Sequence, residues 1–319
     1  MANVELIKDL ERRLCVDHLL AWMDTEGERL GSLGMSMCDQ IEFTPPLLQD
    51  RSVQAITPGS LLGEHASIRP VGDRYEIQFL AGLPREKTRF AIAHEIGHTY
   101  WFAPGGGAKP LSPLQFSFGR DDTIENLCDR FAYSLLMPRR KIEMWLTDVI
   151  CDPTVLPLNN IPRIANRFGV SHRIAAYRTI IDIYGYQGAI IGLRRAKGQF
   201  DLFEERFDNK WKVAWVVTSH TTSERNLPRM VKVPFASSGR VIPDEMIPSV
   251  PENQVVLLDV DSRWREGLSR QPHRDAMRPF ARRASNDDIP AQVCLLLNAQ
   301  VDSVLYDHMY IALPDIAKK

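Results

Sequence analysis

The sequence predicts an α+β protein in which a mainly helical N-terminal domain with a small sheet is followed by a β-rich C-terminal one. Three observations carry that prediction. An apolar helical run contains His94-Glu95-Ile96-Gly97-His98, and a second amphipathic helical pattern follows about thirty residues later. A single alternating stretch, Tyr75-Glu76-Ile77-Gln78-Phe79-Leu80, has the period of a half-buried strand. From Gln187 onward the apolar period shortens from helical to alternating. The boundaries that follow are 1–150 for the first domain, 151–185 for a helix-turn-helix-like module and 186–319 for a C-terminal α+β domain of sensor type.

Residues 5–23 open the chain as an amphipathic helix with acidic residues and no signal-peptide apolar core. The strand at 75–80, just before the next helix, is expected as an edge strand that pairs with an extended substrate, and Pro84 starts that helix, where its missing N–H costs nothing. Phe90 to Ile96 is largely apolar, so that helix is expected to be buried. Pro104-Gly105-Gly106-Gly107-Ala108-Lys109-Pro110 reads as a flexible loop, a candidate substrate-gating lid. Thr123 to Met137 is the second helix, with Ile124, Leu127, Cys128, Phe131 and Leu135 at helical spacing and Pro138 just beyond it. Ile161, Ile164, Ala165 and Phe168 mark one short helix, Gly169-Val170-Ser171 a turn, and Ile174 to Tyr184 the next helix. In that arrangement His172, Arg173, Tyr177 and Arg178 face outward, either into a DNA major groove or, the favoured reading, on a small helical bundle that packs against the catalytic domain with a clamp-like role at most. Strands are expected at 189–193, 199–207, 211–217, 255–260, 293–297 and 304–313.

The chemistry is concentrated at 94–98. Histidines at i and i+4 project from one helical face, so His94 and His98 make two ligands of a metal site, with Glu95 beside them as general base. A catalytic zinc usually takes three protein ligands and leaves a position for water. The pattern with a third histidine close downstream is excluded, because Trp101 and Pro104 occupy the required Gly and His positions. Glu125 on the second helix is the candidate third ligand, and Asp121 and Asp122 compete for that role. Asp129, one turn after Glu125, is placed to hold the ring N–H of a ligand histidine. Its other reading is an ion pair with Arg130 or Arg89. Tyr100, Tyr133 and His172 are candidate donors to a developing oxyanion.

Composition narrows the setting. Net charge is −1, with 44% hydrophobic and 25% charged residues, so nothing global draws the chain to nucleic acid or membrane. Five scattered cysteines, without a C-x-x-C pair, argue against a disulfide framework and for a reducing cytoplasm, although one could enter a metal site as an inhibitory ligand. No apolar run is long enough to span a membrane. Locally, Arg263, Arg265, Arg270, Arg274, Arg278, Arg282 and Arg283 face only Glu266 and Asp275, and Trp264, His273 and Phe280 are interleaved. That composition suits single-stranded DNA or another anionic ligand, or a solvated surface balanced by acids elsewhere.

Arg89-Phe90-Ala91-Ile92-Ala93-His94-Glu95-Ile96-Gly97-His98, followed by Glu125 and then Phe131-Ala132 and Leu135-Leu136-Met137-Pro138, resembles the ImmA/IrrE family of metallo-endopeptidases. Family sequences read R-F-x-x-A-H-E-x-G-H and then E-x-x-A-[ND]-x-F-A-x-x-L-L-M-P. The chain departs at Cys128, where alanine is usual. The likeness covers roughly residues 70–185. It implies a zincin-like domain, zinc in preference to manganese on His94, His98 and Glu125, and Glu95 as the base. It also implies a narrow protein substrate, typically a helix-turn-helix repressor encoded nearby, whose cleavage releases stress, mobile-element or phage-defence genes. Two other readings compete: a DNA-binding regulator using the 160–185 helices with a vestigial metal site, and a metal-dependent hydrolase of small molecules.

Overall fold

The computed structural model describes residues 2–34, 39–104, 121–149, 155–186, 188–197, 211–218, 242, 247, 249–257, 292–301 and 304–314. Two units emerge: Met1–Met144 with Arg163–Ser171, and Trp145–Pro162 with His172–Lys319. The helical segment read as a separate module at 151–185 is therefore divided between them.

In the first unit, α1 (Ala2–Gly34) runs well past the residue-23 limit expected for it. Its glycines do not break it, because they let another helix come close. A Cβ on Gly27 would lie 2.7 Å from the Ser134 Cβ and 2.8 Å from the Leu135 backbone nitrogen, so α1 and α4 (Asp121–Leu136) touch almost backbone to backbone. Polar links reinforce the contact: Arg130 donates from Nε to Asp24 at 2.8 Å, and Ser134 also binds Asp24. After the short α2 (Pro45–Asp50), three strands form a sheet ordered β1-β3-β2. Of these, β1 (Val53–Gly59) runs parallel to β3 (Arg74–Leu80), and β2 (Ala66–Val71) is antiparallel to β3 at the other edge. Only β3 showed a clear alternation in the sequence.

Helix α3 (Arg85–His98) follows Pro84, which stands at the N-cap. It buries Ala91, Ile92, Ala93 and Ile96, and α4 buries Ile124, Leu127, Phe131 and Leu135, the apolar stripes the helical spacing predicts. Helix α5 (Arg139–Val149) starts directly after Pro138. The turn after α6 (Ile161–Phe168) is a left-handed cap at Gly169, φ +63°, closed by a 2.9 Å bond from the Val170 N–H to the Ala165 carbonyl. A Cβ at Gly169 would meet the Arg89 guanidinium at 2.1 Å, so glycine is needed there twice over. Arg89 is nearly buried, donating to the Ile41 carbonyl at 2.8 Å and to Gln40 at 3.0 Å.

In the second unit, a five-stranded antiparallel sheet is ordered β5-β4-β8-β7-β6. Its strands are β4 (Gly188–Lys197), β5 (Lys212–Thr218), β6 (Val255–Leu257), β7 (Gln292–Val301) and β8 (Val304–Pro314). One face is an apolar core of Ala189, Ile191, Leu193, Val213, Val293, Met309 and Ile311, the alternate residues of four strands. The opposite face carries Tyr310, His308 and Trp215. Helix α7 (His172–Ala176) continues as π-helical Tyr177–Ile183. Arg173 is exposed as expected, but its neighbours are not all turned outward. Arg178 is 0% exposed and paired with Asp182, while His172 bonds the Tyr310 hydroxyl at 2.8 Å and packs on His308. The expected strand at 199–207 and the arginine-rich 263–283 stretch lie outside the described residues, as does the glycine loop from Gly105 onward.

Candidate metal centre

Helices α3 and α4 pack so that residues one turn apart on each face their counterparts in reverse order. Phe90 meets Tyr133, with ring centroids 5.3 Å apart; one turn on, His94 meets Asp129; and the carboxylate of Glu125 reaches both histidines. The four-residue repeats 90-94-98 and 125-129-133 thus become one line of contacts.

At its centre two imidazoles and a carboxylate come together. Glu125 places Oε2 2.9 Å from His94 Nε2 and Oε1 3.5 Å from His98 Nε2. The other ring nitrogen of His94, Nδ1, lies 2.8 Å from Asp129 Oδ1. That is the carboxylate–histidine pairing that fixes a ligand's tautomer and orientation. Asp129 is available for it because Arg130 turns to Asp24 and Arg89 to Gln40 and Ile41. Two imidazole nitrogens and a carboxylate in one cluster suit a borderline ion such as zinc, so the donor set fits the group.

Electrostatics sharpen the picture. Burial alone would lower the His94 pKa. The bonds to Asp129 and Glu125 outweigh it and raise the ring to about 10, so without a metal a proton holds the place between the two acids. Burial, with the nearby His94 charge, pushes His98 down to about 4, leaving a neutral ring ready to ligate. Glu125 is held below the usual carboxylate range by its bond to His94. Burial, against the opposing pull of His94, raises Glu95 to about 7, into the range where a carboxylate exchanges protons at neutral pH.

The backbone N–H of Ile68 on β2 lies toward Glu95 and acts against that rise. The pairing of β2 explains why that group is free. Leu80 donates to the His65 carbonyl at 2.8 Å, so alternate residues Ser67, Arg69 and Val71 bond inward to β3. Ala66, Ile68 and Pro70 then point their backbone away from the sheet, and proline, lacking a donor, sits where none is missed. The edge expected at 75–80 is therefore β2 instead, since β3 is the central strand of the sheet, and Pro70 with the nearby Gly59, Gly63 and Gly72 disguises β2 in the sequence.

Of the oxyanion candidates, Tyr100 is 6% exposed and donates to Glu26 at 2.9 Å beneath the Arg51 guanidinium, 3.5 Å from its ring centre. Its hydroxyl is thereby committed to α1. Tyr133 lies over Phe90, one turn before His94. His172 is engaged with Tyr310 in the second unit. Asp121 and Asp122 form the first turn of α4, a full turn before Glu125.

The chain matches the family model Peptidase_M78, the IrrE N-terminal-like domain, over residues 59–179. Among curated proteins none matches. A solved structure described as a Mycobacterium tuberculosis transcriptional regulator aligns at 15% identity with a TM-score of 0.34, covering 58% of this chain and 57% of that one. The chain thus spans little more than half of that protein, and a likeness this slight carries no argument. Among the described residues no helix is long and apolar enough to cross a membrane.

Proposed function

We propose, for a chain whose residues 59–179 are an IrrE N-terminal-like domain of the ImmA/IrrE peptidase family, that it is a zinc-dependent endopeptidase acting on a partner protein. The observation that carries this reading is the Glu125 carboxylate set against both His94 Nε2 and His98 Nε2, with Asp129 behind His94. His94, His98 and Glu125 would hold the ion. The chemistry it supplies when bound is acidification of water and polarisation of a carbonyl.

The protein's own groups do the rest. Glu95, half-buried and with its pKa near neutrality, takes the proton of the attacking water and delivers it to the leaving amine. The outward edge of β2 offers the Ala66 and Ile68 backbone to an extended peptide, which can pair as an added strand. Such pairing binds main chain, so side-chain selectivity must come from elsewhere on the partner. A peptide carbonyl that takes the Ile68 N–H is thereby brought beside Glu95. Asp129 keeps His94 oriented while this happens.

The favoured substrate is a helix-turn-helix repressor whose loss switches on stress, mobile-element or phage-defence genes. The arginine-rich 263–283 stretch is read as the place where single-stranded DNA or another anion signals. The competing DNA-reading role for the 160–185 helices is weakened by the burial of Arg178. Incubation with the neighbouring repressor, with and without chelator, tests the proposal by intact mass. Two fragments summing to the repressor plus one water, absent with chelator and in Glu95→Gln, are expected. An intact repressor under all conditions, signal DNA included, would overturn it.

A further inference from the structure

Cys128 is the residue at which this chain leaves its family's pattern, and the fold places it beside the histidines. It follows Glu125 by three residues, so it lies about 60° round α4 from that carboxylate, on the side facing α3. There it meets Gly97, the one residue of the H-E-x-x-H turn without a side chain. A Cβ built on Gly97 would be 3.1 Å from the Cys128 Cα and 3.3 Å from its sulfur. The close approach seats the thiol under the ring pair. The sulfur and a ring nitrogen from each of His94 and His98 all lie within 4.8 Å of one another. In a tetrahedral zinc site, S···N separations are roughly 3.6 Å, given the usual bond lengths. Closing the remaining gap takes a movement of about an ångström.

We propose that Cys128 is a further metal ligand in this chain and closes the coordination position otherwise left to water, so that the resting centre is held by His94, His98, Glu125 and the thiolate. On joining, the thiol gives up its proton to solvent and forms the sulfur–metal bond, with no change of oxidation state. A centre with four protein donors is of the closed, structural kind. Its opening is then the step that exposes activity, and a neighbouring thiol on α4 provides it without any added segment. The proposal rests on the metal reading above and adds to it the regulation of the same site. Sulfur that merely fills space against Gly97 is the competing role, and alanine, usual in the family, would serve that purpose.

Cobalt(II) separates the two. The metal-free full chain is loaded with cobalt alone, and its near-ultraviolet spectrum is recorded beside those of Cys128→Ala and Cys128→Ser. A thiolate-to-cobalt charge-transfer band in the unaltered chain, absent from both variants although each still binds one cobalt, is the expected result. Alanine at this position follows the family pattern, so that variant should fold, and its peptidase activity should rise. One bound cobalt in the unaltered chain without a charge-transfer band would overturn the proposal and leave the peptidase reading standing. Loss of cobalt from a variant, with the band present in the unaltered chain, would equally make the thiolate a ligand, whereas failure of the unaltered chain to bind cobalt would sink the metal centre itself, and this proposal with it.

Discussion

Raising the pH should tighten metal uptake by the metal-free protein, and the size of the effect follows from His94. Its ring is raised to about 10 by Asp129 and Glu125, against the opposing effect of burial, so at neutral pH a proton sits where the ion must go. His98, pushed down to about 4, gives up nothing, and Glu125, below its usual range, is already ionised. One proton must therefore leave per ion bound. Against a fully deprotonated site the apparent affinity at pH 7 is weaker by ~10³-fold, about 4 kcal/mol at 1.36 kcal/mol per pH unit. It recovers tenfold with each pH unit until the ring titrates. The same two rings give the metal-free fold opposite pH trends. His94, raised, adds stability that is whole below its ordinary value and fades as pH climbs through about 10. His98, lowered, adds stability that is whole above its ordinary value and fades as pH falls toward about 4. The assay is zinc competition against a chelator of known proton affinity from about pH 6 to about pH 9, with released protons counted in weak buffer. It is best done on Cys128→Ala, where no thiol contributes a proton. An affinity flat across that range, or no proton release, would refute the reasoning.

Replacing Glu95 by Gln should leave one zinc bound and lower peptide cleavage by about 10²–10⁴-fold, read by metal analysis and initial rates; unchanged rates would remove Glu95 as the base. Asp129→Asn, which still reaches His94 but no longer carries charge, should weaken zinc by about 10–100-fold, and equal affinity in competition titration would show that the Asp129 contact does not tune the site. In Gly27→Ala, the added methyl has only 2.7–2.9 Å to Ser134, Leu135 and Phe131, so a loss of about 1–3 kcal/mol is expected in denaturant unfolding. The full chain should bind single-stranded DNA with an affinity that falls as salt rises, and absence of binding at low salt would dispose of the arginine-rich stretch as a sensor.

The centre could be anticipated from sequence because helices have a fixed period. Once His94 and His98 lie on α3, and Glu125 and Asp129 on α4, spacing alone puts each pair on one face, and the packing of Phe90 on Tyr133 and of Gly97 on Cys128 brings the faces together. Where spacing gives no partner, the sequence was less forthcoming. The destination of Tyr100 depended on Glu26, 74 residues away on a helix that ran past the residue-23 limit expected for it. The edge strand β2 was hidden by a proline that is harmless only because its N–H would point away from β3. Arg178 looks like a surface base in a helical pattern. Its burial with Asp182 arises from the π-helical turns and the sheet of its unit, neither of which leaves a local signature. Cys128 was visible as a departure from a pattern, but its meaning needed Gly97 opposite.

The most direct test is a crystal of the zinc-loaded protein measured on both sides of the zinc absorption edge. The account predicts a single anomalous peak within bonding distance of His94 Nε2, His98 Nε2 and a Glu125 oxygen, with Asp129 still on His94 Nδ1. A peak elsewhere, or a protein that crystallises from zinc without one while His94 stays bonded to Glu125, would contradict it.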